Sequence, residues 1–371
     1  QDNTSGYSNV FLGTQSGYSN TEGYSNVFLG NQSGYSNVFG ISNVFLGNYA
    51  GYSNEGTGSL PDGGANVFIG DSTGYSSLNG YTNVFVGYAA GRNNYNGYAN
   101  IFLGYQSGYE NNNGANNLFL GYQSGRDLVD GTGNTILGNN AGVNATGGNS
   151  NIFIGPLSGR YQSSGDNNIY LGNEAGSGQS SSTSNQGAEN IFIGTNAGTN
   201  NTGGSYNVFM GYHAGQSNLG HSSGGTDFGF DNVFIGHQAG MNNETGYIDV
   251  FIGRNAGRDN VSSFGNTYLG AYAGEENVNG GNTFLGMNAG RYGRNSFPDP
   301  NVGGGGQNTF IGYNAGEYST GSHNTVMGFS AGVTLGDGQY NVILGDQAGY
   351  KTPGGDNNVY IGYKAGGHYT E

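Results

Sequence analysis

The sequence predicts an all-β fold, a single-chain parallel β-solenoid of about twenty coils with a modal repeat of 17 residues. Three observations predict it. First, the pattern Asn-x-Phe-(Leu/Ile)-Gly-x-x-(Ala/Ser)-Gly recurs along the whole 371-residue chain, and a fixed period near twenty marks stacked repeats. Copies begin at 9, 26, 43, 66, 83, 100, 117, 134, 151, 168, 190, 207, 232, 249, 266, 282, 308, 324, 341 and 358, and thirteen of the nineteen intervals are seventeen residues. Second, each copy holds three β-branched, aromatic or aliphatic residues between its Asn and a Gly, far too few for a helix. Third, two glycines are present in all twenty copies. Residues 1–371 therefore read as one continuous repeat domain.

Each element follows when the repeat is numbered from its Asn. Position 1 is Asn except at Asp249. Side-chain amides stacked at strand spacing form ladders, each donating to the next, which predicts a structural role for Asn26, Asn83, Asn100, Asn117, Asn134 and Asn151. Positions 2 to 4 make a short strand. Gly at position 5 ends it at positive φ. Positions 6 to 8 are expected to be a second extended piece, ending at a small residue that lets the coil walls approach. Gly at position 9 makes the next turn, and positions 10 to 17 form a polar return arc. Stacked ~4.8 Å apart, twenty coils would reach on the order of 95 Å.

The arc after copy two repeats Asn37-Val38-Phe39-Gly40 without changing the period. Longer arcs carry Leu60-Pro61-Asp62-Gly63, Ser180-Ser181-Ser182-Thr183, His221 to Phe230, and Phe297-Pro298-Asp299-Pro300. All four fall between position 10 and the next Asn, so they should emerge from one edge.

Alternation sets which side chains share a face. Positions 1 and 3 share one, positions 2 and 4 the other, and both faces are apolar. Only one can line a coil, and soluble monomers rarely leave a patch beyond ~300–600 Å² uncovered. The expectation is that Phe11, Phe28, Phe45, Phe68, Phe85, Phe102 and Phe119 form an assembly face. The partner would then be a second copy of the chain in a homo-oligomer, with a trimer favoured. Neither end reads as a polar cap, so the expectation is that either the chain continues beyond these residues or the coils of one molecule stack end to end on the next, making a filament.

Composition narrows the partners. Net charge is −15 with nine Lys and Arg, which excludes the basic patches that nucleic acid requires. No apolar run reaches the ~18 residues of a membrane helix, so no membrane insertion is expected. The acidic, sparsely charged chain fits an extracellular or cell-surface location, with Gln1 reading as the start of a processed chain. There is no Cys.

No recurring acid–base cluster suggests catalysis, so the chain is not expected to be an enzyme. No cofactor is expected, although Asp62, Asp227, Asp231 and Asp299 in the long arcs could offer oxygens to Ca²⁺. The five histidines, His213, His221, His237, His323 and His368, read as exposed loop residues. Position 10 carries the one suggestive surface column. Tyr75, Arg92, Tyr109 and Arg126 alternate there and should stack as cation–π pairs. Such a column reads as a stabilising ladder or as a platform for surface glycans.

The Asn-x-Phe-(Leu/Ile)-Gly-x-x-Ala-Gly copies resemble repeats of bacterial surface proteins and phage-type tail fibres. They are similar in kind to the β-roll heads of trimeric autotransporter adhesins. The resemblance covers essentially the whole chain and implies a trimeric, extracellular, fibrous or adhesive role. The period of seventeen, the Phe in the strands and the absence of a coiled-coil stretch depart from the adhesin pattern. The combined expectation is an extracellular structural fibre or filament subunit. The alternative is a receptor-binding rod that contacts glycans through its inserted loops and the Tyr/Arg column.

Overall fold

A computed structural model describes residues 4–59, 61–178, 187–223, 226–293, 306–352 and 354–367. Among them there is no helix, and the chain is a parallel β-solenoid. Two compact units are present, Gln1–Glu189 and Asn190–Glu371. The first holds β1 (Val10–Leu12), β2 (Val27–Leu29), β3 (Val44–Leu46), β4 (Val67–Ile69), β5 (Val84–Val86), β6 (Ile101–Leu103), β7 (Leu118–Leu120), β8 (Thr135–Leu137), β9 (Ile152–Ile154) and β10 (Ile169–Leu171). The second holds β11 (Ile191–Ile193), β12 (Val208–Met210), β13 (His221–Ser223), β14 (Thr226–Phe228), β15 (Val233–Ile235), β16 (Val250–Ile252), β17 (Thr267–Leu269), β18 (Thr283–Leu285), β19 (Thr309–Ile311), β20 (Thr325–Met327), β21 (Val342–Leu344) and β22 (Val359–Ile361).

Within each unit, successive repeat strands pair in parallel with like positions opposed. Val10 faces Val27 and Phe11 faces Phe28. The 25-residue interval between β12 and β15 leaves this register intact, with Phe209 opposite Phe234. The extra residues there are absorbed by the antiparallel β13–β14 hairpin.

A coil closes through two tight turns. The Ser33 N–H donates to the Gly30 carbonyl and the Asn37 N–H to the Gly34 carbonyl. Positions 6 to 8 are thus a turn, not the extended piece expected. Position 7 adopts a left-handed φ in every copy (Gln32, 54°), as does Ser42 at the last position of its copy (56°). An L-residue disfavours this region by ~1–2 kcal/mol. The stacked coils offset that, because the corner amides stay in the ladder: Gln32 donates to Thr14 at 2.8 Å and Ser42 to Tyr24 at 3.0 Å.

The invariant glycines have two different causes. At position 5, Gly30 has φ 137°, and a Cβ there would lie 2.3 Å from the Gly47 carbonyl oxygen of the next coil. At position 9, a Cβ on Gly34 would lie 2.5 Å from the ring of Phe28 in its own coil.

That second contact corrects the expected assembly face. The Phe column points inward. Phe28, Phe45, Phe68, Phe85, Phe102 and Phe119 are fully buried, and Phe11 is half-buried. Each ring fills the lumen over Gly at position 9 beside the small residue at position 8. Neighbouring rings stack with centroids 4.7–5.0 Å apart from Phe11 to Phe119, within the favourable range for offset aromatic pairs. The outward face is the aliphatic one, positions 2 and 4.

Candidate functional site

The Asn ladder is present, with a different wiring from the amide chain expected. The Oδ1 of each position-1 Asn accepts the main-chain N–H of the next Asn. The series Asn83 to Asn100, Asn100 to Asn117, Asn117 to Asn134 and Asn134 to Asn151 has distances of 2.9–3.0 Å. Asn26 does the same for Asn43 at 2.9 Å. In most copies Nδ2 donates across its own coil to a glycine carbonyl, as Asn100 does to Gly114 at 2.7 Å. One side chain therefore clasps its coil and ties it to the next.

A second Asn column was missed in the sequence. It stands at position 12, inside the return arc. Asn37 donates to Asn20 at 2.7 Å, Asn54 to Asn37 at 2.9 Å and Asn111 to Asn94 at 2.7 Å. These amides also donate to the glycine carbonyl that position 1 uses, as Asn111 does to Gly114 at 3.0 Å. The column is not uniform, since Ser77, Leu128, Ala145 and Leu335 also occupy it, all buried. An Asn three residues before a recurrent Gly is the signal that could have found it.

Asp249 is the one carboxyl in the position-1 ladder, and it is fully buried. Its Oδ1 accepts the Asn266 N–H at 2.8 Å and the Asn266 Nδ2 at 3.1 Å, as an amide oxygen would. The Asn243 amide faces Oδ2 at 3.4 Å. No Lys or Arg side chain pairs with it among the described residues. Burial pushes its pKa up to about 8 against the lowering effect of the Asn266 and Asn243 bonds. At neutral pH the group is mostly a neutral acid, nearly isosteric with the Asn it replaces. The same coil carries Ser263 where the other arcs place their acceptor glycine, and its hydroxyl takes the Asn266 amide at 3.0 Å.

The position-10 column differs between the units. In the first, Tyr18, Tyr35, Tyr52 and Tyr75 stack face to face at 4.9–5.0 Å. Arg92 then lies 5.0 Å from the Tyr75 ring and 5.7 Å from the Tyr109 ring, donating to the Tyr109 hydroxyl at 2.9 Å. Arg126 turns aside to Asp127 at 2.6 Å. The expected column exists, but the Tyr75 and Tyr109 faces nearest Arg92 are covered by its guanidinium. In the second unit one stretch of the column is ionic: Glu275 bridges Arg258 at 2.6 Å and Arg291 at 2.7 Å.

Outside the coils, positions 2 and 4 form an aliphatic stripe on each unit. Ile101 is 41% and Leu120 45% exposed, and Leu285 and Met327 show the same on the second unit. Tyr88, Tyr105 and Tyr122 at position 6 flank it in the first unit, exposed and stacked 5.1–5.2 Å apart. Thr267, Thr283, Thr309 and Thr325 punctuate it from β17 to β20.

A cleft of about 350 Å³ opens on the second unit, lined in part by Phe264, Gly280, Gly281 and Gly306. Phe264 stacks on Tyr247 at 4.9 Å and is still 52% exposed. The next two coils place Gly280 and Gly306 at the equivalent position, two residues before the Asn, where no ring can continue the stack. Gln307, Ser322 and His323 complete the lining. The floor is unbroken backbone: the Gly281 N–H donates to Phe264 at 3.0 Å, and Gln307 to Gly280 and His323 to Gly306 at 3.1 Å.

Of the long-arc residues, Asp62 accepts from the Thr57 hydroxyl at 2.6 Å. Leu60, Ser180 to Thr183, Phe297 to Pro300 and His368 lie outside the described residues, as do the side chains of His221 and Asp227. Among the described residues, no three His, Cys, Asp or Glu stand close enough to share a metal, and no helix is long and apolar enough to cross a membrane. Set against known proteins, the chain matches no family model, no curated protein and no solved structure.

Proposed function

We propose that the chain is the subunit of an extracellular structural fibre, a homo-oligomer whose copies associate through the aliphatic outer face of the strands. The observation that carries this reading is the stripe of positions 2 and 4. Two partly exposed aliphatic side chains per coil, repeated over about ten coils in each unit, exceed the ~300–600 Å² patch of an ordinary monomer. The remaining features suit a structural role. Buried side chains are spent on ladders and stacked rings, and charge is sparse. Association is tested by light scattering on the 38.3 kDa chain and on the Ile101→Lys, Leu120→Lys double variant. Multimers that fall to monomer in the variant, with the β-sheet circular dichroism unchanged, are the expected result. A wild-type chain that stays monomeric at working concentration overturns the reading.

A second reading, a receptor-binding protein of adhesin or tail-fibre type, has one observation in its favour: the Phe264 cleft.

A further inference from the structure

We propose that the Phe264 cleft binds a single pyranose ring of a neutral glycan. The inference goes beyond fibre assembly and stands whether or not the copies associate. It begins from the difference between this ring and the other aromatic columns. In a stacked column each ring hides its faces against its neighbours and offers only an edge. Tyr75 and Tyr109 are in that position around Arg92. Phe264 covers Tyr247 with one face, and its other face looks toward Gly280 and Gly306.

Two coil levels with no side chain at the position of Phe264, those of Gly280 and Gly306, leave a slot ~10 Å high at strand spacing. A flat ring resting on Phe264 at van der Waals distance occupies the first level, and its substituents enter the second. Sugar rings suit such a place because the axial hydrogens on one face are apolar while the rim carries hydroxyls. The rim would meet the Gln307 amide, the Ser322 hydroxyl and the His323 imidazole, a few polar groups around an apolar base, as small-molecule sites generally have. Among the described residues, no lysine, arginine or carboxylate lines the cleft, which fits a neutral ligand. A nucleobase would stack equally well, but it arrives on phosphodiesters, and a chain of net charge −15 repels them.

Two variants leave the fold intact by the protein's own precedent. Ala115 occupies the position of Phe264 in another coil, so Phe264→Ala removes the platform alone. Tyr206 and Tyr340 occupy the position of Gly281 at φ 61° and 57°, against its own 74°, so Gly281→Tyr can fill the slot without new backbone strain. The experiment is calorimetric titration with four neutral hexasaccharides: cellohexaose, maltohexaose, xylohexaose and chitohexaose. At least one is expected to bind the wild-type chain. Each variant is expected to weaken that binding at least tenfold, while Tyr109→Ala leaves it unchanged. If none of the four binds, or if binding survives both variants, the proposal is wrong.

Discussion

Two columns of asparagine run through the coils, and they tolerate change differently. Position 1 is Asn in nineteen of twenty copies, with an acid as its one exception; position 12 admits Ser, Ala and Leu. Both are buried, and both donate to the same glycine carbonyl. The difference lies in what the other end of the amide touches. Asn100 accepts the main-chain N–H of Asn117, a group that every substitution except proline keeps. Asn111 reaches another side chain, Asn94, and a side chain can be replaced together with its partner. Leaving one buried group unpaired costs more than replacing both partners by apolar ones. The columns show that rule from coil to coil within each unit. The second one carries orphans, both where Ser replaces Asn, at the Ser77 and Ser319 hydroxyls, and within its run of Asn, at the Oδ1 atoms of Asn218, Asn243 and Asn260, which have no partner among the described residues.

The largest test of this comparison is Asp249, where the strict column carries an acid. Its pKa is raised in the fold from an ordinary 3.8 to about 8, so the folded chain holds a proton that the unfolded chain releases. Its stabilising contribution is complete below about pH 4, is lost progressively as pH rises towards about 8, and then levels off. At ~1.4 kcal/mol per pH unit, up to ~4 kcal/mol is lost by pH 7. Asp249→Asn should recover much of it at pH 7 and nothing at pH 4, read from guanidinium unfolding at both. A variant equally stabilised at both values would show that the site does not titrate as described.

Next comes Asn100→Ala, which strands the Asn117 N–H. Counting the buried amide and the lost bonds, it should cost about 3 kcal/mol, with faster hydrogen exchange at Asn117. The smallest effect is expected when both partners go together, Asn94→Leu with Asn111→Leu. The Gly97 and Gly114 carbonyls keep their Asn83 and Asn100 donors and the coil above already carries Leu128 in that column, so the paired change should cost no more than ~1 kcal/mol. Equal losses for Asn100→Ala and this pair would erase the distinction between the columns.

Much of this was legible in the sequence. The repeat starts, the strand at Val27–Leu29, the corner at Gly30 and the bonded Asn column follow from period and residue type alone. The direction of Phe28 did not. Alternation states which residues share a face, never which face is inside, and here both are apolar. The decisive clue was the invariant Gly34, since a ring inside the coil needs a neighbour without a Cβ. The left-handed corner at position 7 left no trace either. Gln32, Leu157 and Lys364 all adopt it, because the stacked backbone, not the side chain, holds that corner. The cleft was hidden for a different reason. Seeing it requires aligning Phe264 with Gly280 and Gly306 across a 26-residue interval.

The register that survives such intervals has a consequence for heredity. Each coil presents the same acceptors to the coil above and the same donors to the coil below, so no strand is specific to its place in the series. A stretch such as residues 83–99 could be lost or copied by unequal recombination, and β4 would meet β6 as it now meets β5. Length in this protein is therefore a count kept by the gene, free to drift in steps of seventeen codons, while the fold is inherited unchanged.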